Sequence, residues 1–197
     1  DSSASMLQIA RANLAEAQLD QFVALIDGDF LDPDLTQDER YGAVIIAIDS
    51  LLHATSAAAQ IELLRVAHRN LAEGGILLVD ILHPTPGHLL NLDSSLTFAG
   101  TWSTDDGSKL DKLVAQSTDI AEQIIASEIW YEVTAGNGTV RRVRTAFEQR
   151  WIGSGELELM LQIAGFTRWQ IYGSYELDPL DASSNRMIVA AEKPRID

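Results

Sequence analysis

Two histidines follow apolar segments of the sequence, at positions where a side chain could take part in proton transfer. His53 comes after residues 42–48, and His83 comes directly after residues 76–82. A neutral imidazole can accept the proton that an ammonium group loses before its nitrogen attacks a carbon atom. A histidine in a loop can equally be a solvated surface residue, so both interpretations stay open. We take His53 and His83 as the candidate catalytic bases.

Three aspartates occupy positions where a carboxylate could bind the polar groups of a ligand. Asp1 precedes a helical pattern, Asp29 follows Gly28, and Asp49 follows residues 42–48. If residues 42–48 form a strand, Asp49 lies at its carboxyl end, where α/β proteins bind ligands. Each aspartate also has a purely structural explanation: Asp1 could favour a helix N-terminus, Asp29 could stabilise a tight turn, and Asp49 could cap the following turn.

The composition excludes several other kinds of site. The 197 residues include no cysteine, which excludes disulfides and thiolate ligands, and the four histidines lack metal-ligand spacing, so we predict no metal. The 29 acidic residues exceed the 14 basic ones and give a net charge of −15, which argues against nucleic acid as a partner. The longest apolar runs have the length of strands, so we predict no membrane partner. No signal peptide is visible, and a cytoplasmic protein is expected.

The first part of the chain alternates between helical and strand-like patterns. Apolar residues at helical spacing predict helices over 2–19 and 56–71, and apolar runs predict strands over 22–26, 42–48 and 76–82. Alternating helices and apolar strands are typical of a doubly wound α/β sheet.

The pattern changes after Pro86. Four β segments of mixed polarity are predicted at 96–103, 110–118, 124–134 and 139–151. Gly136-Asn137-Gly138 between the last two predicts a hairpin, because glycine and asparagine accept positive φ angles. We expect an antiparallel sheet laid over one edge of the first unit. A helix at 156–164 and strands at 168–175 and 186–191 complete the predicted elements.

Five segments of the sequence resemble, in order, segments of the class I S-adenosylmethionine-dependent methyltransferases. They are 1–7 (DSSASML), 28–30 (GDF), 48–53 (IDSLLH), 71–80 (LAEGGILLVD) and the closing 165–191. In that family they follow the second, third and fourth strands, lead into the fifth, and form the final hairpin. The inserted antiparallel segment is similar to that of small-molecule N-methyltransferases.

The resemblance implies a Rossmann-like fold and S-adenosylmethionine as cofactor. Asp1 would accept the ribose hydroxyls and Asp29 the adenine amino group, while the turn around Asp49 would line the sulfonium. Met6 could pack near the adenine or belong to the core. The implied cofactor-binding residues are Asp1, Ser2, Met6, Gly28, Asp29, Phe30, Ala47, Ile48, Asp49 and Leu52.

The activity implied by the resemblance is methyl transfer to a small-molecule acceptor, with an amine nitrogen favoured over oxygen. Aromatic faces suit a cationic amine, and arginine suits a carboxylate or phosphate. The candidate substrate-binding residues are Tyr131, Arg150, Tyr172, Tyr175 and Arg186. Ordinary packing between strands is the alternative explanation for the aromatic residues.

The resemblance also divides the chain. Residues 1–86 and 153–197 would form the cofactor-binding domain, and residues 87–152 would form an antiparallel insert over the substrate cleft. The family's first strand and Gly-rich loop would precede Asp1, and this sequence contains neither. We therefore expect an exposed apolar sheet edge and a further N-terminal segment in the native protein. Two alternatives stay open: a nicotinamide-dependent oxidoreductase on the same fold, and a shortened non-catalytic chain that forms a homodimer through that edge.

Overall fold

The computed structural model describes residues 1–30, 32, 40–104 and 106–195. The described elements, in chain order, are α1 (Ala4–Glu16), β1 (Tyr41–Ile46), a 3₁₀ helix (Ser50–His53), α2 (Ala57–Asn70), β2 (Leu71–Leu82), α3 (Pro86–Leu90), β3 (Thr97–Ser103), β4 (Lys109–Asp119), β5 (Ile124–Thr134), β6 (Val140–Arg150), α4 (Ser154–Ala164), β7 (Arg168–Tyr172) and β8 (Arg186–Glu192). The strands form two four-stranded sheets.

The first sheet has the strand order β1-β2-β8-β7. β1 and β2 are parallel and are connected through α2, whereas β8 runs antiparallel to both β2 and β7. Leu77, Val79 and Ile81 of β2 are fully buried in the main core, together with residues of α2 and α4. Because β1 and β2 are parallel neighbours, their carboxyl ends meet at one edge of the sheet, as the sequence predicts.

The helices of this layer begin and end at residues suited to those positions. Ser56 caps α2 by accepting a hydrogen bond from the Ala59 N–H. Gly165 ends α4 in the left-handed conformation, with a φ of 105°. Ser3 caps α1 by accepting a hydrogen bond from the Met6 N–H.

The second sheet is an antiparallel meander in the order β3-β4-β5-β6. In the turn between β5 and β6, the Ala135 N–H donates a hydrogen bond to the Thr139 carbonyl, and Gly138 has a φ of 83°. The predicted hairpin is therefore confirmed, with the Gly-Asn-Gly segment in the turn. Ile125 and Ile129 are buried on the same face of β5, so this sheet packs one face against the rest of the molecule.

Residues 22–26 do not form the predicted strand. The Ile26 carbonyl accepts a hydrogen bond from the Asp1 ammonium group, and Phe22 is 75% exposed. An apolar run becomes a strand only where a neighbouring strand pairs with it and a core covers it, and the described residues provide neither here. The predicted loop at 31–40 falls mainly on residues 31 and 33–39, which lie outside the described residues.

Several apolar side chains of the N-terminal part are exposed. In α1, Leu7 is buried whereas Met6 and Ile9 are more than half exposed, and Ile45 of the edge strand β1 is 67% exposed. An exposed apolar edge is what the sequence leads us to expect. No helix among the described residues has the length and hydropathy needed to cross a membrane.

Candidate active site

A tight turn follows β1 at the carboxyl edge of the first sheet. Ile48 and Asp49 have φ angles of 52° and 61°, in the left-handed region. This conformation ends the strand at Ile46, two residues earlier than predicted. The next residues anchor the turn, because Leu51 and Leu52 of the 3₁₀ helix are buried in the core. Ala47 and Ile48 themselves are exposed at the edge.

The two aspartates at this edge each hold the backbone of the neighbouring strand. Asp49 Oδ1 accepts a hydrogen bond from the Leu82 N–H at 2.7 Å. Asp80 Oδ2 accepts one from the Ile48 N–H at 3.2 Å. One interpretation of the sequence has Asp49 capping the following turn through its side chain. The structure contradicts it, because the Asp49 carboxylate reaches across to β2 instead.

Arg186, the first residue of β8, bridges the two carboxylates. Its Nη1 lies 3.0 Å from Asp49 Oδ2, and its Nε and Nη2 lie 2.8 Å and 2.5 Å from Asp80 Oδ1. Tyr175, from the loop between β7 and β8, donates its hydroxyl hydrogen bond to Asp80 Oδ2 at 2.8 Å. We call Asp49, Asp80, Tyr175 and Arg186 the edge network.

The contacts within the edge network lower the pKa of Asp80 and raise the pKa values of Tyr175 and Arg186. Partial burial works to raise the pKa of Asp80, but the hydrogen bonds from Tyr175 and Arg186 outweigh it and lower the pKa. The hydrogen bond to Asp80 raises the pKa of Tyr175. Burial alone would lower the pKa of Arg186, yet its bonds to Asp49 and Asp80 raise it. The network therefore holds an ionised carboxylate beside a protonated phenol and a guanidinium.

The two candidate bases lie at the same edge in different surroundings. His53, at the end of the 3₁₀ helix, is exposed; its ring centroid is 5.4 Å from that of Phe147, and its Nε2 is 3.5 Å from Gln149 Nε2. Phe147 and Gln149 belong to β6, so His53 lies between the first sheet and the insert. His83 is half-buried, and its Nδ1 lies 2.9 Å from the Ser184 carbonyl, which accepts only. Nδ1 of His83 therefore carries the hydrogen.

The N-terminal candidate residues lie in two turns that contact each other. The Gly28 N–H donates to the Asp1 carbonyl at 3.3 Å, which brings Asp1 beside the turn that holds Asp29. Asp1 Oδ1 accepts from the Ser3 N–H at 2.8 Å. Ser2 and Met6 are exposed beside Asp1, and the exposed Phe30 helps to line a cavity of about 270 Å³ between β1 and α2.

The substrate-binding candidates do not share one location. Tyr131 is half-buried on β5, with Lys112 Nζ 6.0 Å from its ring centre, whereas Tyr172 lies on β7. Tyr175 and Arg186 belong to the edge network. Arg150 is buried and bonded to Gln60, Gln123 and Glu156. Both of its terminal nitrogens are engaged in these structural contacts, so Arg150 is not part of the proposed site.

Asp80, Phe147 and Gln149 were not among the residues singled out from the sequence. A signal for Asp80 was available, since it is the one charged residue within the apolar run 76–82. A carboxylate in a buried strand needs partners, and such groups concentrate at functional sites. Phe147 and Gln149 carry no such signal, because they occur in a strand of mixed polarity.

The comparisons with known proteins identify the family. No protein-family model matches this chain. Its sequence is 30% identical over 183 residues to a cypemycin N-terminal methyltransferase from Streptomyces sp., a match that spans 91% of this chain and 69% of that protein. The chain belongs to the class I S-adenosylmethionine-dependent methyltransferases.

Solved structures of this methyltransferase fold agree with that result. The CcbJ methyltransferase from Streptomyces caelestis superposes with a TM-score of 0.76 at 26% identity, over 100% of this chain and 73% of that one. A methyltransferase from Clostridium acetobutylicum has a TM-score of 0.77 at 15% identity over 98% of this chain and 73% of that one, a likeness that concerns the fold alone. The methyltransferase is thus a Rossmann-like enzyme that uses S-adenosylmethionine, and the nicotinamide and non-catalytic alternatives are not retained.

Proposed function

We propose that this methyltransferase transfers a methyl group to an amine nitrogen of a small molecule or peptide, with His53 as the base. The observation that carries the proposal is the position of His53 between the carboxyl end of β1 and the insert, where its ring contacts Phe147 and Gln149. An amine must lose a proton before it can attack. An exposed imidazole can take that proton.

The proposed donor site combines the N-terminal turns with the turn that follows β1. Asp1 and Asp29 lie in adjoining turns and offer carboxylates for the ribose hydroxyls and the adenine amino group. Beyond β1, the exposed Ala47 and Ile48 offer backbone and apolar surface for the methyl-bearing end, with Leu52 buried behind them. Ser2, Met6, Gly28, Phe30 and Asp49 complete the proposed binding set. When bound, S-adenosylmethionine supplies a methyl group on a good leaving group, so the protein's main tasks are alignment and exclusion of water.

The charge near the edge network favours a cationic acceptor. A cavity of about 630 Å³ is formed by the β7–β8 loop and the start of β8, and its lining includes Glu176, Asp178 and Asp181 with Tyr175 and Arg186. Three carboxylates against one guanidinium attract a protonated amine and repel an acid. The relative at 30% identity is named as an N-terminal methyltransferase, and a peptide N-terminus is an amine.

The proposed division of labour follows the two sheets. Residues 1–86 and 153–197 would hold the methyl donor, and residues 87–152 would cover the acceptor. Tyr131 and Tyr172 would contribute aromatic faces to the acceptor side. His83, whose Nδ1 is bonded to Ser184, would retain Nε2 as its acceptor nitrogen in the neutral form and is the second candidate base.

Paired acceptors test the proposed chemistry. The enzyme and S-adenosylmethionine are incubated with one acceptor at a time. The four acceptors are a peptide bearing a free N-terminus, its N-acetylated form, an amino sugar and the corresponding hydroxy sugar. Mass spectrometry of the products is expected to find a methyl group on amines and none on the acetylated peptide. Methylation of the hydroxy sugar without methylation of either amine would overturn the assignment, as would no methylation of either amine.

A further inference from the structure

The edge network joins four separate segments of the chain through reciprocal contacts. Asp80 of β2 holds the Ile48 N–H of the turn after β1, while Asp49 of that turn holds the Leu82 N–H at the end of β2. Each carboxylate therefore fixes the backbone that belongs to the other strand. Neither strand end can shift without loss of a hydrogen bond to a charged group.

The backbone held in this way is an unfavourable one. Ile48 has a φ of 52°, a region that β-branched residues avoid because of clashes with the backbone. Such a conformation persists only where surrounding contacts over-determine it. The hydrogen bond from the Ile48 N–H to Asp80 is one such contact, and the buried Leu51 and Leu52 provide the others.

Arg186 neutralises the repulsion between the carboxylates of Asp49 and Asp80. Its guanidinium lies between them and donates to Asp49 with one nitrogen and to Asp80 with two. Without that positive charge, two neighbouring carboxylates would repel each other and one would take up a proton. The planar fork of arginine also fixes their separation, which a lysine would not do.

Tyr175 connects the β7–β8 loop to the same turn. Its ring projects from the surface, since the residue is 68% exposed, yet its hydroxyl is bonded to Asp80 Oδ2, the oxygen that also accepts from Ile48. The loop lines the cavity of the edge network. A single carboxylate oxygen is therefore shared between the loop that forms the cavity and the turn at the proposed donor site.

We propose that Asp80 and Arg186 are positioning residues for methyl transfer and that Tyr175 couples the β7–β8 loop to the Ile48–Asp49 turn. While the loop is seated, Tyr175 donates to Asp80 and the turn is held; when the loop lifts, Asp80 loses this donor and the turn loosens. By linkage, binding of the methyl donor at the turn then favours the seated loop to the same degree. The inference rests on the proposed function only in placing the donor against this turn.

Removal of one hydroxyl group tests the coupling. Tyr175→Phe is compared with Tyr41→Phe, which makes the same change at the amino end of β1. Amide hydrogen exchange is followed in residues 46–50 and in residues 173–185, with and without saturating S-adenosylhomocysteine, and affinity is measured by calorimetry. Tyr175→Phe is expected to speed exchange in both segments and to weaken S-adenosylhomocysteine binding about tenfold, as loss of a hydrogen bond to a charged group predicts. Tyr41→Phe is expected to change neither.

The result that overturns the inference is faster exchange in residues 173–185 alone, with unchanged exchange in residues 46–50 and unchanged affinity. Tyr175 would then only stabilise its own loop. Asp80→Asn provides a second test, because it should speed exchange in residues 46–50 more than Tyr175→Phe does. Both tests are independent of the acceptor, so a failure of amine methylation and a failure of this coupling are separate results.

Discussion

Gln60 and Arg150 are joined by two reciprocal hydrogen bonds in the interior of the protein. Gln60 Nε2 donates to the Arg150 carbonyl at 2.9 Å, and Arg150 Nη1 donates to Gln60 Oε1 at 2.8 Å. Gln60 belongs to α2 and Arg150 ends β6, so the pair fastens the insert to the helices of the first sheet. Glu156 of α4 adds an ion pair with Arg150 at 2.7 Å.

Replacement of Gln60 should therefore destabilise the whole protein. In Gln60→Leu, a buried carbonyl and a buried guanidinium nitrogen each lose a partner, which we expect to cost about 2–4 kcal/mol in the free energy of unfolding. Urea denaturation measures this cost. Gln162→Leu makes the same exchange at an exposed position of α4 and should change stability by less than about 0.5 kcal/mol. Equal effects of the two substitutions would contradict the buried role of Gln60.

Substitution of His53 should slow catalysis without weakening donor binding. For His53→Gln, which keeps a polar side chain but cannot act as the base, we expect kcat to fall about 10²-fold. The affinity for S-adenosylhomocysteine, measured by calorimetry, should stay at the wild-type value. His88→Gln in α3 serves as the control and should keep the wild-type rate. A wild-type kcat in His53→Gln would transfer the role to His83.

Two glycines at opposite ends of α4 should respond oppositely to alanine. Gly165 has a φ of 105°, and an added Cβ would lie 3.2 Å from His68 Nε2, so Gly165→Ala should lower stability by about 1–2 kcal/mol. Gly155, in the first turn of α4, has open space around an added Cβ, and Gly155→Ala should raise stability by about 0.5–1 kcal/mol. Thermal unfolding of both variants gives the comparison. A stabilising Gly165→Ala would show that this helix end does not depend on a left-handed residue.

His68 should make folding depend on pH near neutrality. Burial and the nearby charge of Lys193 lower the pKa of His68, whose Nε2 is buried without a hydrogen-bond partner. The unfolded chain, with an ordinary pKa of about 6.5, then binds more protons than the folded protein as pH falls through that value. The contribution of the neutral His68 to the free energy of unfolding is therefore complete above about pH 6.5. It is lost as the pH falls from that value toward the lower pKa of His68 in the folded protein.

Urea denaturation at about pH 5.5 and about pH 7.5 measures this dependence, in a range where most carboxylates stay ionised. The free energy of unfolding should be higher at the upper pH in the wild type. His68→Gln should reduce the difference between the two values. A variant that retains the full wild-type difference would assign the dependence to other groups.

The elements of the first sheet were accessible to sequence reasoning because their patterns report burial. Residues 76–82 are apolar except for Asp80, and they form the carboxyl-terminal part of β2, between two paired strands. The hairpin turn at Gly136-Asn137-Gly138 was also predictable, since positive φ angles favour these residue types. Residues 22–26 show the limit of this reasoning, because an apolar run does not reveal whether another strand lies beside it.

The edge network could not be predicted, because its contacts join residues that are distant in the sequence. Asp49 and Arg186 are 137 positions apart, and Asp80 and Tyr175 are 95 apart. The sequence suggested Asp49 as a cofactor-binding residue or, alternatively, as a local cap, and its carboxylate bonds to Leu82 and Arg186. Arg150 was suggested as a substrate residue, yet its partner Gln60 lies 90 positions away. Local spacing identifies which residues are charged and carries no information on these partners.

The anchoring of Arg150 also fixes one end of the insert to the helices of the first sheet. The corner where β6 leaves the insert is tied to two helices, and separation there would strand a guanidinium in the interior. The opposite end, at the turn of residues 135–139, is exposed and carries no comparable tie among the described residues. Amide hydrogen exchange should therefore be slower at the Arg150 end of the insert than at the turn of residues 135–139.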